Sequence, residues 1–319
     1  MRISIIGYGE VGKTLAEDLR AQQHSVSAYD VKLGTPAGAA QREHAARFGV
    51  HLAASHADAV RGSEWVGNER VGSEPVGTEL VISAVTASQT LAVAEACAGQ
   101  IGNAYFLDFN SASPAAKQDA ARCIDAAGGR YVEGAVMTLI SGYRIKVPLL
   151  LGGVHAQALL PVITALGFCA KVASSTLGVA SATKLCRSVV MKGLEVMLIE
   201  SLTAARHYGV EDAVIASLCE THPGVDWQQQ ASYAFQRVIE HGGRRSEEMR
   251  EAARTVQDAG LVPLSAAGTA ARDSWITEQA EAGVFGTRGE PGFARSSDWR
   301  LEADRRLASL RGAARDSTP

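Results

Sequence analysis

The stretch RISIIGYGEVGKTLAEDL, Arg2 to Leu19, limits the possible folds more than any other part of the chain. A short strand-like run, Arg2–Ile6, meets glycine at 7, 9 and 12 and passes directly into helical spacing. Strand, tight turn and helix in that order begin a βαβ unit. In G-x-G-x-x-G spacing, Gly7 permits the turn, Gly9 lets the backbone approach a pyrophosphate and Gly12 brings helix and strand together. The first amides of the helix then face the phosphates. Gly7, Tyr8, Gly9, Glu10, Val11 and Gly12 are therefore the expected cofactor loop. Asp30 closes the next strand-like run, SVSAYD, about 20 residues downstream, where an acid accepts hydrogen bonds from the adenosine ribose hydroxyls. Such an acid repels a 2′-phosphate, so the expected cofactor is NAD, with NADP kept open by Lys32 nearby.

The first half continues in the same rhythm. Ser25–Tyr29, Leu80–Val85, Tyr105–Phe109, Arg130–Val136 and Val147–Gly153 read as further strands between helical segments. Continuous apolar strands separated by helices predict a parallel sheet covered on both faces, a Rossmann-type doubly wound α/β domain over residues 1–175. Beyond it, Ser181–Ala205 and the segments EDAVIASLCET, WQQQASYAFQRVIEHG, RRSEEMREAARTVQDAG and LSAAGTAARDSWITEQAEAG have helical spacing with glycine or proline stops. They predict an all-helical domain over 176–286, entered by a long interdomain helix. Residues 287–319 read as a polar, poorly ordered tail with one exposed helix around WRLEADRRLASLR. Trp65–Glu79 holds three copies of a V-G-x-E unit and reads as a flexible loop entering the amino end of a strand, away from the ligand edge.

With 46% hydrophobic and 20% charged residues and a net charge of -3, the chain has the balance of a soluble globular protein with no general attraction to nucleic acid or anionic membrane. The strand before Gly7 is too short for a signal peptide, and no run approaches the roughly 18 apolar residues of a membrane span. A cytoplasmic location is expected. Five scattered cysteines without C-x-x-C spacing fit reduced thiols, and the histidines form no metal-binding pattern. No metal site is expected.

The Ser181–Ala205 helix is mostly apolar yet carries Lys184, Arg187 and Lys192 in its first half. An unpaired ammonium in a core costs several kcal/mol, so the cations are expected where the helix lines a cleft. For Lys192 a surface ion pair with Glu195 at i+3 is the simpler reading. Lys184 suits a general acid/base, because oxidising an alcohol requires a group that takes the hydroxyl proton. Partial burial and the like charge of Arg187 one turn on favour the neutral amine such a base needs. DFNSASP follows the strand Tyr105–Phe109 at the ligand edge, where Asn110 and Ser111 offer short polar groups to nicotinamide and substrate, and Ser113 before Pro114 suits a helix cap. Val85 and Thr86 end LVISAVT and fall beside the cofactor by the same rule.

Together GYGEVG, FLDFNSASP (Phe106–Pro114), VEGAVM (Val132–Met137) and GVASATKLCRS (Gly178–Ser188) resemble the β-hydroxyacid dehydrogenase family, which includes 3-hydroxyisobutyrate, tartronate semialdehyde and 6-phosphogluconate dehydrogenases. The resemblance puts Lys184 on the family's catalytic lysine and places Asn110, Ser111, Met137, Thr138, Arg187 and Ser188 at substrate positions. Ser188 stands where the family has asparagine, with shorter reach and one donor instead of two. Arg187 either pairs with a substrate carboxylate or faces solvent. Met137, Thr138 and Leu139 stand where the family has a serine and two glycines that bind the substrate's acid end, which implies a bulkier or more apolar substrate. The family's second lysine aligns with Glu247, near Arg244 and Arg245. These departures mark a divergent branch.

The expected activity is NAD-preferring hydride transfer with a 3-hydroxyacid or related β-substituted alcohol, in a homodimer. An NADPH-dependent imine reductase and a non-catalytic dinucleotide-binding regulator are the alternatives; Lys184 argues against the first, since imine reductases usually replace it.

Overall fold

The computed structural model describes residues 1–61, 65–66, 69–70, 78–294 and 298–316. It divides into two units, Met1–Leu185 and Cys186–Pro319, and the division falls inside a long helix rather than ahead of it.

Among the described residues the first unit holds strands β1 (Arg2–Ile6), β2 (Ser25–Tyr29), β3 (His51–Leu52), β4 (Trp65–Val66), β5 (Glu69–Arg70), β6 (Leu80–Ser83), β7 (Tyr105–Asp108), β8 (Arg130–Val136), β9 (Leu149–Gly152) and β10 (Ala170–Ser174). Eight of them form one sheet in the order β10-β9-β8-β7-β6-β1-β2-β3. Its central strands are apolar on both sides, as covered parallel strands must be. Ile3, Ile5, Leu80, Ile82 and Leu107 join one core cluster, and Ile6, Val81 and Phe106 join the other. Helices α1 (Glu10–Ala21) and α2 (Ala39–Phe48) supply Leu15, Leu19 and Ala45 to the first cluster. Helices α3 (His56–Arg61), α4 (Thr90–Ala98) and α5 (Pro114–Ala126) supply Val60, Val93 and Ile124 to the second. Short α6 (Ile140–Tyr143) and α7 (Ala156–Ala165) return to the first with Ile140, Leu159 and Ile163.

The sheet departs from the sequence expectation in three places. β9 runs antiparallel to β8, with only residues 137–148 between them, so the sheet is mostly rather than wholly parallel. A parallel return usually needs a full crossover helix, and the four-residue α6 in this link is too short to be one. β3 and β10 are additional strands at the two edges. The burial of β10 alternates, with Lys171 and Ala173 exposed, so an edge strand lacks the continuous apolar run that marks a central one. Within the V-G-x-E repeat, β4 pairs antiparallel with β5, while 67–68 and 71–77 lie outside the described residues.

The second unit contains most of helix α8 (Val179–Tyr208), then α9 (Glu211–Thr221), α10 (Trp227–Asp258), α11 (Leu264–Glu281) and α12 (Trp299–Asp316). Its core joins Ile199 and Leu202 to Phe235, Val238, Ile239, Ile276 and Trp299. α10 is one helix where the two glycines 242–243 suggest a break between two. Gly242 serves close packing: a Cβ there would stand 2.5 Å from Thr277 Oγ1 and 2.8 Å from the Asp273 carbonyl oxygen on α11. The expected disordered tail is corrected too, because Phe293, Ala294, Trp299 and Ala303 are buried in this core. No helix among the described residues is long and apolar enough to cross a membrane.

Candidate functional site

β1 lies between β2 and β6, so the chain turns to opposite sides of β1, and the carboxyl ends of β1 and β6 form the switch point where such sheets bind ligands. Gly7 sits there with φ +94°, and a Cβ on it would stand 2.4 Å from the Ala84 carbonyl oxygen. A Cβ on Gly12 would stand 2.1 Å from the Gly7 carbonyl oxygen, so both glycines are required by protein packing alone. Gly9 differs: no protein atom lies within 4 Å of where its Cβ would be. It also occupies the N-cap of α1 without a side-chain cap, leaving the first amides of the helix to other acceptors. That open glycine beside uncapped amides fits a dinucleotide's pyrophosphate. Glu10 is exposed at the first turn, and Val11 packs onto the core.

Asp30 follows β2 and is half-buried. One carboxylate oxygen accepts the Tyr8 N–H at 2.9 Å and the other the Lys32 N–H at 2.9 Å, so Asp30 ties the glycine loop to the end of β2. Tyr8 turns inward: its ring is wholly buried, and its hydroxyl hydrogen-bonds His44 Nδ1 at 2.9 Å while His44 Nε2 meets Glu17 at 2.8 Å. Burial, and then the charge of Glu17, push the Tyr8 phenol up. The side chain of Tyr8 is thus spent inside the protein, and the residue's place in the expected cofactor loop is one of backbone.

At the ends of β6 and β7 the expected residues divide similarly. Asn110 is buried, accepts the Val85 N–H at 2.8 Å and donates to Ser83 Oγ at 3.0 Å. Its amide clips two strand ends together, so this side chain orders the edge. Thr86 is exposed next to the half-buried Val85. Ser113 accepts the Ala116 N–H at the N-cap of α5, as Pro114 at N1 leads one to expect. Ser111, half-buried, meets Lys184, whose Nζ donates to Ser111 Oγ at 2.6 Å. The expected catalytic lysine and the expected substrate serine are therefore in direct contact.

Met137 packs against the small cluster of Ala135, Leu150 and Ala180, and Thr138 follows it exposed. In the second unit, Arg187 is exposed and Ser188 buried. Lys192 is buried and paired with Glu248 of α10, while Glu195 pairs with Arg245, so the expected surface pair of Lys192 with Glu195 does not form.

Several buried ionic groups beside the site lack any spacing signature. Asp108, on β7, is inaccessible to solvent; its Oδ1 meets Lys117 Nζ at 2.9 Å and the Asn110 N–H at 2.8 Å, and its Oδ2 accepts from the Tyr131 hydroxyl at 2.5 Å. Burial, and then the Asp108 charge, hold the Tyr131 phenol well above its ordinary range. Glu133, on β8, is equally inaccessible and reaches the first turn of α8, accepting N–H groups of Gly178 at 2.8 Å, Ala180 at 3.1 Å and Ser181 at 3.3 Å. The string VEGAVM contains Glu133, but only the three-dimensional return of the chain reveals what it holds. Among the described residues no group of histidine, cysteine, aspartate or glutamate is arranged to hold a metal ion.

Comparison with known proteins agrees with this geometry. Residues 2–66 match the family model for NADP oxidoreductase, coenzyme F420-dependent, and residues 205–276 match a domain of unknown function, DUF1932. A conserved hypothetical protein from Sinorhizobium meliloti 1021 is 33% identical, with a TM-score of 0.68 over 96% of each chain. A conserved protein reported as structurally similar to 3-hydroxyacid dehydrogenases is 25% identical, with a TM-score of 0.64 over 88% of this chain and 99% of its own. The 3-hydroxyisobutyrate dehydrogenase of Mycobacterium tuberculosis, solved with L-serine, shares the fold at 15% identity and a TM-score of 0.68 over 97% of this chain and 99% of its own. With its glycine loop, its lysine at the head of α8 and its altered segment at 137–139, the chain belongs to the β-hydroxyacid dehydrogenase family as a divergent member.

Proposed function

We propose that this chain is a nicotinamide-dinucleotide-dependent oxidoreductase acting on a 3-hydroxyacid or related β-substituted alcohol, with Lys184 as its general acid/base. The observation that carries the reading is the Lys184–Ser111 hydrogen bond at the carboxyl edge of the sheet that also bears the glycine loop. Oxidising an alcohol removes a hydride from carbon and a proton from oxygen as the carbonyl forms. The bound dinucleotide supplies the hydride acceptor. Lys184 takes the proton as an amine, or returns it as an ammonium in the reverse direction, and Ser111 orients the ammonium or the substrate hydroxyl. Asp30 supports a preference for NAD, because its half-buried carboxylate would repel a 2′-phosphate. Met137 and Leu139, in place of small residues, support a substrate with more apolar bulk. Val190, Met191 and Met197, exposed along α8, support a homodimer, for which light scattering should give twice the chain mass.

The test is a panel including 3-hydroxyisobutyrate, L-serine and bulkier 3-hydroxyacids, followed by absorbance of reduced cofactor with NAD and with NADP. Lys184→Met is expected to lower turnover by about 10²–10⁴-fold while NADH binding persists. Retained turnover in that variant would refute the lysine's role. Turnover confined to amine formation with NADPH would move the chain to the imine reductases.

A further inference from the structure

We propose that Glu133 is a positioning residue for Lys184, acting through the first turn of α8. Of the four leading amides that a helix leaves without internal partners, side chains ordinarily satisfy one or two from within the same segment. Here the acceptor comes from β8. Glu133 takes the N–H of Gly178, Ala180 and Ser181, and Lys184 stands one turn beyond Ala180 on the same helix. A carboxylate at this end also opposes the positive pole of the helix dipole.

The seat is built for that carboxylate. Glu133 is inaccessible to solvent, and a Cβ on Gly152 of β9 would stand 2.2 Å from Glu133 Oε1, so only glycine leaves room for it. On the other side, Glu133 is the register partner of Asp108 on β7. Asp108, fixed by Lys117 and Tyr131, anchors the strand end that leads to Ser111. Two buried carboxylates on neighbouring strands therefore hold the two ends of the Lys184–Ser111 hydrogen bond, Asp108 the serine end and Glu133 the lysine end. Lys184 is six residues into the helix that Glu133 caps, so a tilt or fraying of the first turn carries Nζ away from Ser111.

This inference rests on Lys184 being the proton-handling group, and its test is read without turnover. The full chain and its Glu133→Ala and Glu133→Gln variants are treated with an amine-reactive ester over a pH series, below each variant's melting temperature. Labelling of Lys184 is followed by mass spectrometry against the exposed Lys32 and Lys146. Glu133→Ala is expected to raise Lys184 labelling relative to those controls by about tenfold. Glu133→Gln, which keeps an acceptor oxygen but turns an amide nitrogen toward one of the N–H donors, is expected to raise it by about threefold. A merely structural role would lower the melting temperature and leave the Lys184 profile superimposable on wild type. That result in Glu133→Ala, or in Glu133→Gln should the alanine variant not fold, overturns the proposal. Where a substrate is found, kcat should fall in the same order with the KM for the dinucleotide unchanged. Retained turnover in Lys184→Met would overturn the lysine's role while the labelling result still judged Glu133.

Discussion

The acids wholly closed to solvent are treated in opposite ways by the two units. In the first, Asp108 and Glu133 are inaccessible to solvent, and between them accept hydrogen bonds from four backbone N–H groups as well as Tyr131 and Lys117. In the second, Asp273 on α11 is just as inaccessible, yet neither carboxylate oxygen accepts a hydrogen bond among the described residues, and Arg245 Nε stands 3.9 Å away. The difference lies in the architecture. Strand ends and helix beginnings, which meet at the edge of an α/β sheet, present free N–H groups, whereas the middle of a helix has spent its own on the preceding turn. A carboxylate buried at the functional edge is therefore satisfied cheaply by backbone. One buried between α10 and α11 depends on side-chain cations, and here Arg245 and Lys192 are already paired with Glu195 and Glu248.

The largest expected effect comes from making Asp108 resemble Asp273. Lys117→Met removes the cation from a buried pair and should cost about 3–5 kcal/mol of unfolding free energy in chemical denaturation. An unchanged midpoint would mean that Tyr131 and the Asn110 amide suffice. Next is the pH dependence of Asp273, whose carboxyl is pushed up from 3.8 to about 7 by burial, against the opposing charges of Arg245 and Lys192. The unfolded chain ionises this group near pH 4, so between pH 4 and 7 the folded state binds more protons. Its stabilising contribution is complete below that window and is lost as pH rises through it. The wild-type stability curve should fall relative to Asp273→Asn by on the order of 3 kcal/mol across it. Parallel curves would show that Asp273 is ionised throughout. The smallest effect is expected from Gly242→Ala, which drives a methyl group toward Thr277 and the Asp273 backbone and should cost about 1–3 kcal/mol in thermal unfolding. A neutral result would show that α10 and α11 can separate by a fraction of an ångström at no cost.

Much of the site was legible because its signals are local. The glycine loop, the acid closing β2, the strand ends at Val85 and Asn110 and the cations of α8 are each written in a few consecutive residues. What they touch was less legible. Tyr8 and Asn110 stand at cofactor positions by spacing, yet their side chains are spent inside the protein on His44 and on Ser83 and Val85. Lys192 has an acid at i+3, but that acid pairs with Arg245 across to α10, and Lys192 finds Glu248. Gly242 reads as a helix stop when judged by propensity and as a contact point once α11 lies against it.

By itself the sequence determined the strand–turn–helix opening, the covered central strands and the placement of a lysine at the head of the long helix, because backbone sterics and the period of apolar residues act within a few residues. Only the tertiary structure decided that β9 turns back, that Trp299 closes the second core, and that Glu133 and Asp108 stand side by side beneath Lys184 and Ser111. Those outcomes depend on which distant donor reaches a buried oxygen first and which distant surface covers an apolar ring. A linear pattern records neither.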